Sequence, residues 1–449
     1  MVKQSKQQSR RTAAQMHALA AVQREIRSSD SVTSSKYLRE FTDAFQKYQS
    51  TLRLMEVEEE TCKGDVVLIG DYHALPASQR FAAEVLEKYA QQRPVVLGLE
   101  AVLARDQKIL DAWWRREIPE EELRRRLRFD REWGYQWEPV YQLLSSARDH
   151  AEAIYGLDCM PRADMRRIRS RDRHAAAKLR DIRQRHPDAA VLVLFGESHM
   201  APQHLPRLIG DLLPQQKIVT VLQNLDALYW QAVSAHAAAV QIQDNVICVF
   251  NSSPLEKYES YRLCLERWNA TQGEQQDFAP AVYNLIFSLA RALGFRLDSP
   301  CNGIQPRYLA DSLPEIVSIE EGSASVASKL EEKTCAYFAD SNYFAIREFQ
   351  MADAAEECTR FLHSACRGKA VIPDEAQPIE DALARFGARL LCPEIEAGDH
   401  GSALGDSLYN AYVAGKVSRH DLRRIFLSHL ETFGETLQAL VELENLARA

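Results

Sequence analysis

Two stretches of this chain run an apolar, β-branched segment straight into the same four-residue ending. DVVLIGDYH closes on Gly70-Asp71-Tyr72-His73, and AVLVLFGESH closes on Gly196-Glu197-Ser198-His199. A third run, PVVLGLE, ends on Glu100. Continuous apolar runs of this length are the mark of parallel strands covered on both faces. Open α/β sheets place their ligands beyond the carboxyl ends of such strands. Three runs that each deliver a His or a carboxylate there predict one shared site.

Apolar runs begin near Val66, Val95, Ala153, Val191, Ile218 and Val246, with helix-period stretches between them. That alternation predicts an α/β fold, with a mostly parallel sheet and flanking helices. LPASQRFAAEVLEKYAQQ reads as one amphipathic helix with Pro76 in its first turn, where proline is tolerated. The gap after Glu100 is too long for one crossover helix. It predicts an inserted helical subdomain over about 103–150, with Pro119 and Pro139 at helix starts. An insertion at that end of a sheet lies over the site and is a candidate lid. The expected organisation is a helical arm over 1–60, with Leu38, Phe41, Phe45, Tyr48 and Leu52 at helical spacing. An α/β domain follows over 61–260, then a mainly helical C-terminal region over 270–449.

Composition narrows the class. The 449 residues are 46% hydrophobic and 26% charged, ordinary values for a globular chain, and a net charge of −8 argues against general nucleic-acid binding. No run is long enough for a membrane span, and the start carries no apolar core of signal-peptide length, so a cytoplasmic location is expected. The nine cysteines include no Cys-x-x-Cys pair and read as free, mostly buried thiols.

His73 and His199 are each a candidate metal ligand or general base, since neutral imidazole suits Zn, Mn, Co or Fe and titrates near working pH. Glu100, at the end of a buried strand, needs a partner or a metal; it is a candidate base toward water. Asp71 and Glu197 lie two positions before the two histidines, on the same side of an extended backbone. Each either orients its His or joins a metal shell. Asp158, ending IYGLDCMPR, either faces the site or sits in a plain loop. Asn224 and Asn251 end two further runs, as a polar rim or as turn residues. The basic stretch RADMRRIRSRDRHAAAKLRDIRQRH reads as a solvated helix face, with Arg171 and Asp172 placed near the strand ends. An arginine there can clamp a carboxylate or phosphate. Trp113, Trp114, Trp133, Tyr135 and Trp137 lie in the insert, as core between helices or as a flat ligand wall.

VVLIGDYHALPASQRFAAEVLEKY followed by VVLGLEAV resembles the opening of ChaN-type haem-binding uptake proteins. VLVLFGESHMAP resembles their second signature, and SRDRHAAAKL resembles the Arg-Asp segment before it. The resemblance is to the superfamily that joins ChaN-type, Tiki, TraB and erythromycin esterase proteins, and it covers about residues 63 to 225. It implies an α/β core with a helical insert. Tiki-like members imply metal-dependent hydrolysis, carried here by His73, His199 and Glu100. Esterase members imply a water activated by a His and Glu set. ChaN-type members imply haem, for which Tyr72 is a candidate iron ligand. The sequence departs from the ChaN pattern at Ser78-Gln79, where a further His is common, and in lacking an export signal.

The leading expectation is therefore a hydrolase-like protein using metal- or His-activated water. His73 and His199, with Asp71 or Glu197, would hold Mn, Co or Zn. Glu100 would act as base or ligand, and Tyr72, Arg171, Asp172 and Asp158 would contact a small-molecule or peptide substrate. The alternatives are a haem-handling protein and a non-catalytic scaffold whose C-terminal region binds a protein partner.

Overall fold

All six apolar runs form strands of one sheet in the computed structural model, which describes residues 13–29, 36–162, 167–232, 237–269, 276–295, 313–319, 330, 333–367, 374–393, 403–428 and 430–448. In chain order the strands are β1 (Ser50–Leu52), β2 (Val66–Asp71), β3 (Val95–Leu103), β4 (Ala153–Asp158), β5 (Ala190–Gly196), β6 (Ile218–Gln223), β7 (Ala239–Gln243) and β8 (Val246–Val249). They lie side by side as β1-β7-β8-β6-β2-β5-β3-β4. From β8 to β4 every pairing is parallel. Only β7 and β1, at one edge, pair antiparallel. The chain is an α/β protein with a mostly parallel sheet flanked by helices.

The apolar runs are unbroken because both faces of the sheet are covered. Val67 and Ile69 of β2, with Leu192 and Leu194 of β5, point into one layer, beside Ala82, Val85 and Leu86 of the helix Pro76–Ala90. Val66, Leu68, Val191 and Val193 point into the other, against Ala175, Ala176 and Leu179 of the helix Ile168–Arg185. Each of these side chains is fully or almost fully buried, which favours folding by roughly 1.5–3 kcal/mol for each valine, leucine and isoleucine.

Between β3 and β4 the insert forms the helices Gln107–Trp114, Glu120–Leu127, Phe129–Glu132 and Trp137–His150. Pro119 precedes the second of these, and Pro139 lies in the first turn of the last. Trp113 and Trp137 are core, the latter edge-on to Phe129 at 4.8 Å.

The chain divides into two compact units, Ser31–Cys264 and Met1–Asp30 with Leu265–Ala449. The expected N-terminal arm is therefore shared out: the helix Ala13–Ser29 belongs with the C-terminal region, and the helix Lys36–Ala44 with the sheet. The latter ends before Phe45, and Leu52 lies in β1 rather than in a longer helix. The C-terminal region is mainly helical. It also holds a small sheet that the sequence reading did not anticipate: β9 (Glu315–Ser318), β10 (Cys335–Phe338) and β11 (Tyr343–Ile346), in the order β10-β11-β9. Its strands are four residues each, too short to carry a legible period. No described helix is long and apolar enough to cross a membrane. Of the eight described cysteines six are buried and two, Cys62 and Cys159, are half-buried; Cys301 lies outside the described residues.

Candidate active site

The strand order brings β2, β5 and β3 together as neighbours. Asp71 pairs in register with Gly196, and Leu99 with Leu194, so the ends of β2 and β5 lie level with the Glu100–Ala101 stretch of β3. His73, Glu100 and His199 meet there around Gly196. A Cβ on Gly196 would lie 3.0 Å from Glu100 Oε2, 3.2 Å from His73 Nε2 and 3.3 Å from His199 Cδ2. The glycine is needed for this close approach, and its backbone is otherwise unstrained, with φ at −48°.

Each histidine is held from behind by an aspartate. His73 Nδ1 lies 2.8 Å from Asp71 Oδ2, and Gln79 Nε2 donates to the other oxygen of Asp71 at 2.6 Å. His199 Nδ1 lies 2.5 Å from Asp172 Oδ1, and the Tyr37 hydroxyl donates to Asp172 Oδ2 at 2.9 Å. A carboxylate only accepts, so both imidazoles carry their proton on Nδ1. Both Nε2 atoms then face Glu100, that of His73 at 3.6 Å from Oε2 and that of His199 at 3.9 Å from Oε1.

Glu100 is buried and fully engaged. Gly196 N–H donates to Oε2 at 2.5 Å, and Arg171 Nη2 donates to Oε1. Arg171 also forks onto Asp158, with bonds of 2.8 and 2.9 Å. Burial pushes the Glu100 carboxyl up, but His73, Arg171, His199 and the Gly196 N–H together hold it down at about 2. Glu100 stays ionised at any physiological pH. Burial also pulls His73 down, and the charges of Asp71 and Glu100, with the Asp71 hydrogen bond, outweigh it; the imidazole is more basic than usual. Its side chain is 20% exposed, against 3% for His199, so His73 is the imidazole a substrate can reach.

The remaining sequence-derived candidates divide. Asp71, Asp158, Arg171 and Asp172 all support the His–Glu–His group. Glu197 turns elsewhere, to Lys257 Nζ at 2.9 and 3.0 Å. The Tyr72 ring lies 4.6 Å under that ammonium, and burial and nearby acids hold its hydroxyl well above the usual range. Asn224 and Asn251 bond each other and the following turn, Asn224 at a φ of 51°. Of the insert aromatics, Trp133 and Tyr135 reach the site, with ring centroids 4.3 and 5.2 Å from that of His73.

Three contributors escaped the sequence reading. Tyr37 lies outside the α/β pattern, and Lys257 sits in a helix with no motif. Arg162 bonds Asp158 at 2.6 Å, the Glu100 carbonyl at 2.7 Å and the Glu132 carbonyl at 2.9 Å, and it packs on the Trp133 ring at 4.8 Å. The signal for Arg162 was its place at the head of the basic stretch, just past the β4 end.

The donor set fits proton transfer better than a divalent ion. Both Glu100 oxygens are committed, one of them to a guanidinium that a cation would have to displace. Among the described residues no group of three His, Cys, Asp or Glu side chains has the arrangement to hold a metal.

Residues 57–192 match a family described as haem-binding uptake, Tiki superfamily, ChaN. No curated protein matches the chain. Two solved structures are similar. One, described as cofacial heme binding to ChaN of Campylobacter jejuni, has 18% identity and a TM-score of 0.31, over 44% of this chain and 91% of that one. The other, the type III effector HopBA1, has 13% identity and a TM-score of 0.35, over 46% and 96%.

Proposed function

We propose, on the premise that residues 57–192 are a ChaN-like segment of the Tiki superfamily, that this protein is a hydrolase-like enzyme whose nucleophile is a water activated by His73. The observation that carries the reading is the pair of Asp-backed imidazoles turned toward one ionised glutamate. Water bound at His73 Nε2 would give its proton to that nitrogen while its oxygen attacks the carbonyl carbon of an ester or amide. Asp71 fixes the tautomer, and Glu100 stabilises the imidazolium that forms. The proton then passes to the leaving oxygen or nitrogen as its bond to carbon breaks, giving an acid and an alcohol or amine. His199, with Asp172 and Tyr37, closes the far side, and Arg171 holds Glu100 in place.

The test is turnover of neutral aryl esters and short peptides by the full-length protein, with elemental analysis of the same sample. Loss of turnover in both His73→Ala and Glu100→Gln is expected. Turnover that survives His73→Ala, or none with any substrate of either class, overturns the reading. Stoichiometric Mn, Co or Zn that vanishes in a His73→Ala/His199→Ala double variant would replace it with metal-activated water.

The family's description favours a second reading, haem handling. Tyr72 is the poorer iron ligand, because its ring packs under the Lys257 ammonium at 4.6 Å and burial beside Glu197 disfavours its phenolate. His73 offers an exposed Nε2 beside Trp133 and Tyr135. A saturable Soret band on haem titration that is lost in His73→Ala supports this reading; no saturable change removes it.

A further inference from the structure

The half-buried rings around His73 are aromatic and the charge around them is acidic. Trp133 and Tyr135 lie 5.5 Å apart beside the imidazole, and Tyr72 and Tyr261 lie edge to face at 6.3 Å. Tyr135 feels Tyr261, Glu100 and Asp71 as electrostatic neighbours, so the two ring pairs border one region. The cations that touch these rings or Glu100 are each held by a carboxylate: Arg162 by Asp158, Arg171 by Asp158 and Glu100, Lys257 by Glu197. Asp71 and Asp172 add two further carboxylates, hydrogen-bonded to His73 and His199. Asp226 acts on both Tyr72 and Lys257. Acidic groups thus outnumber the arginines and lysine, and none of those cations is left over to meet a phosphate or carboxylate of a ligand.

Resting on the hydrolase-like reading above, we propose that the aromatic cluster beside His73 takes the aromatic or apolar acyl part of a neutral or cationic substrate and rejects anionic ones. Ring faces attract apolar and cationic groups, through area burial and through the negative face of the π-system. An anion entering the same region meets an excess of acidic groups in a medium that screens poorly. Phosphoesters and acyl groups ending in a carboxylate are the substrates excluded.

Binding can be measured apart from turnover. Benzamide, benzamidine, benzoate and phenyl phosphate are titrated into the full-length protein and into His73→Ala, with Kd read by calorimetry. The expected result is that benzamide and benzamidine bind about tenfold or more tightly than the two anions. The preference should persist in His73→Ala, which isolates the pocket from the chemistry. Benzamide and benzamidine should each bind about tenfold more weakly to Trp133→Leu and to Tyr135→Leu, with the circular dichroism spectrum confirming that each variant is folded. Anions that bind as well as the neutral and cationic probes overturn the inference, and so does a protein that binds none of the four. Failure of the hydrolase reading shows separately, as turnover that His73→Ala leaves intact.

Discussion

At the scale of single residues, the site depends on the absence of one side chain. Gly196 leaves room for three functional groups over its Cα, and a methyl there would press on Glu100, His73 and His199 at once. Gly196→Ala should cost about 1–3 kcal/mol of stability by overpacking. It should reduce turnover at least tenfold, because the two imidazoles and the carboxylate cannot all keep their places. Chemical denaturation beside an ester assay reads both. The basicity of His73 gives a pH prediction. Asp71 and Glu100 raise its pKa against the effect of burial. A general base works deprotonated, so the acid limb of the rate profile should lie above that of an ordinary histidine. Asp71→Asn removes one raising charge and should move that limb to lower pH while lowering the maximal rate. A limb that stays in place would assign the titration to another group.

At the scale of elements, the insert is tied to the strand ends by Arg162. Its guanidinium joins Asp158 at the end of β4, the backbone of Glu100 and Ala101 in β3, and Glu132 and Trp133 in the insert. Arg162→Ala strands Asp158 with Arg171 alone and frees Trp133 from one of its supports. With the side chain only 13% exposed, the expected loss is about 2–4 kcal/mol, read by urea unfolding. Arg162→Lys should recover little of it, since one ammonium cannot reach four acceptors in a plane. The insert also closes the open edge of β4. Gln107 donates to the Ile154 carbonyl at 2.8 Å and accepts from Gly156 N–H at 3.0 Å, occupying backbone groups that a further strand would use.

At the scale of the whole molecule, the two units carry different acid sensitivities. In the sheet unit, the Glu100 carboxyl is held down from 4.5 to about 2, so its favourable pairing contributes in full above the ordinary carboxylate pKa and is lost progressively as pH falls from 4.5 through about 2. In the other unit, His363 is buried among apolar groups, against Phe426, with no hydrogen-bond partner for either ring nitrogen. Burial and the nearby Arg367 and Arg360 depress its pKa from 6.5 to about 3. The unfolded chain therefore binds a proton that the folded chain refuses between those values. Stability should fall as pH drops through that window, by up to about 1.4 kcal/mol per pH unit. His363→Leu should flatten that slope, measured as the denaturation midpoint against pH, with little change near neutrality. An unchanged slope would place the acid sensitivity elsewhere.

What the sequence determined by itself was whatever is encoded locally. Six strands of the main sheet were legible as continuous apolar runs, because burial on both faces leaves no polar alternation to confuse them. His73, Glu100 and His199 were legible because each follows such a run directly. The strands β1 and β7 were not, since β1 has three residues and the five of β7 include two glutamines, so neither reads as a continuous apolar run. Nor were the roles of the supporting side chains. Whether Asp71 or Glu197 orients its histidine depends on the turn after each strand, and the structure sends one to His73 and the other to Lys257. Tyr37, Asp172 and His199 are separated by 135 and 27 residues along the chain, and only the packed fold brings them within hydrogen-bond reach. Strand order made the decisive difference. With β5 lying between β2 and β3, three residues far apart in sequence share one small space, a spatial relation that no local stretch of sequence encodes.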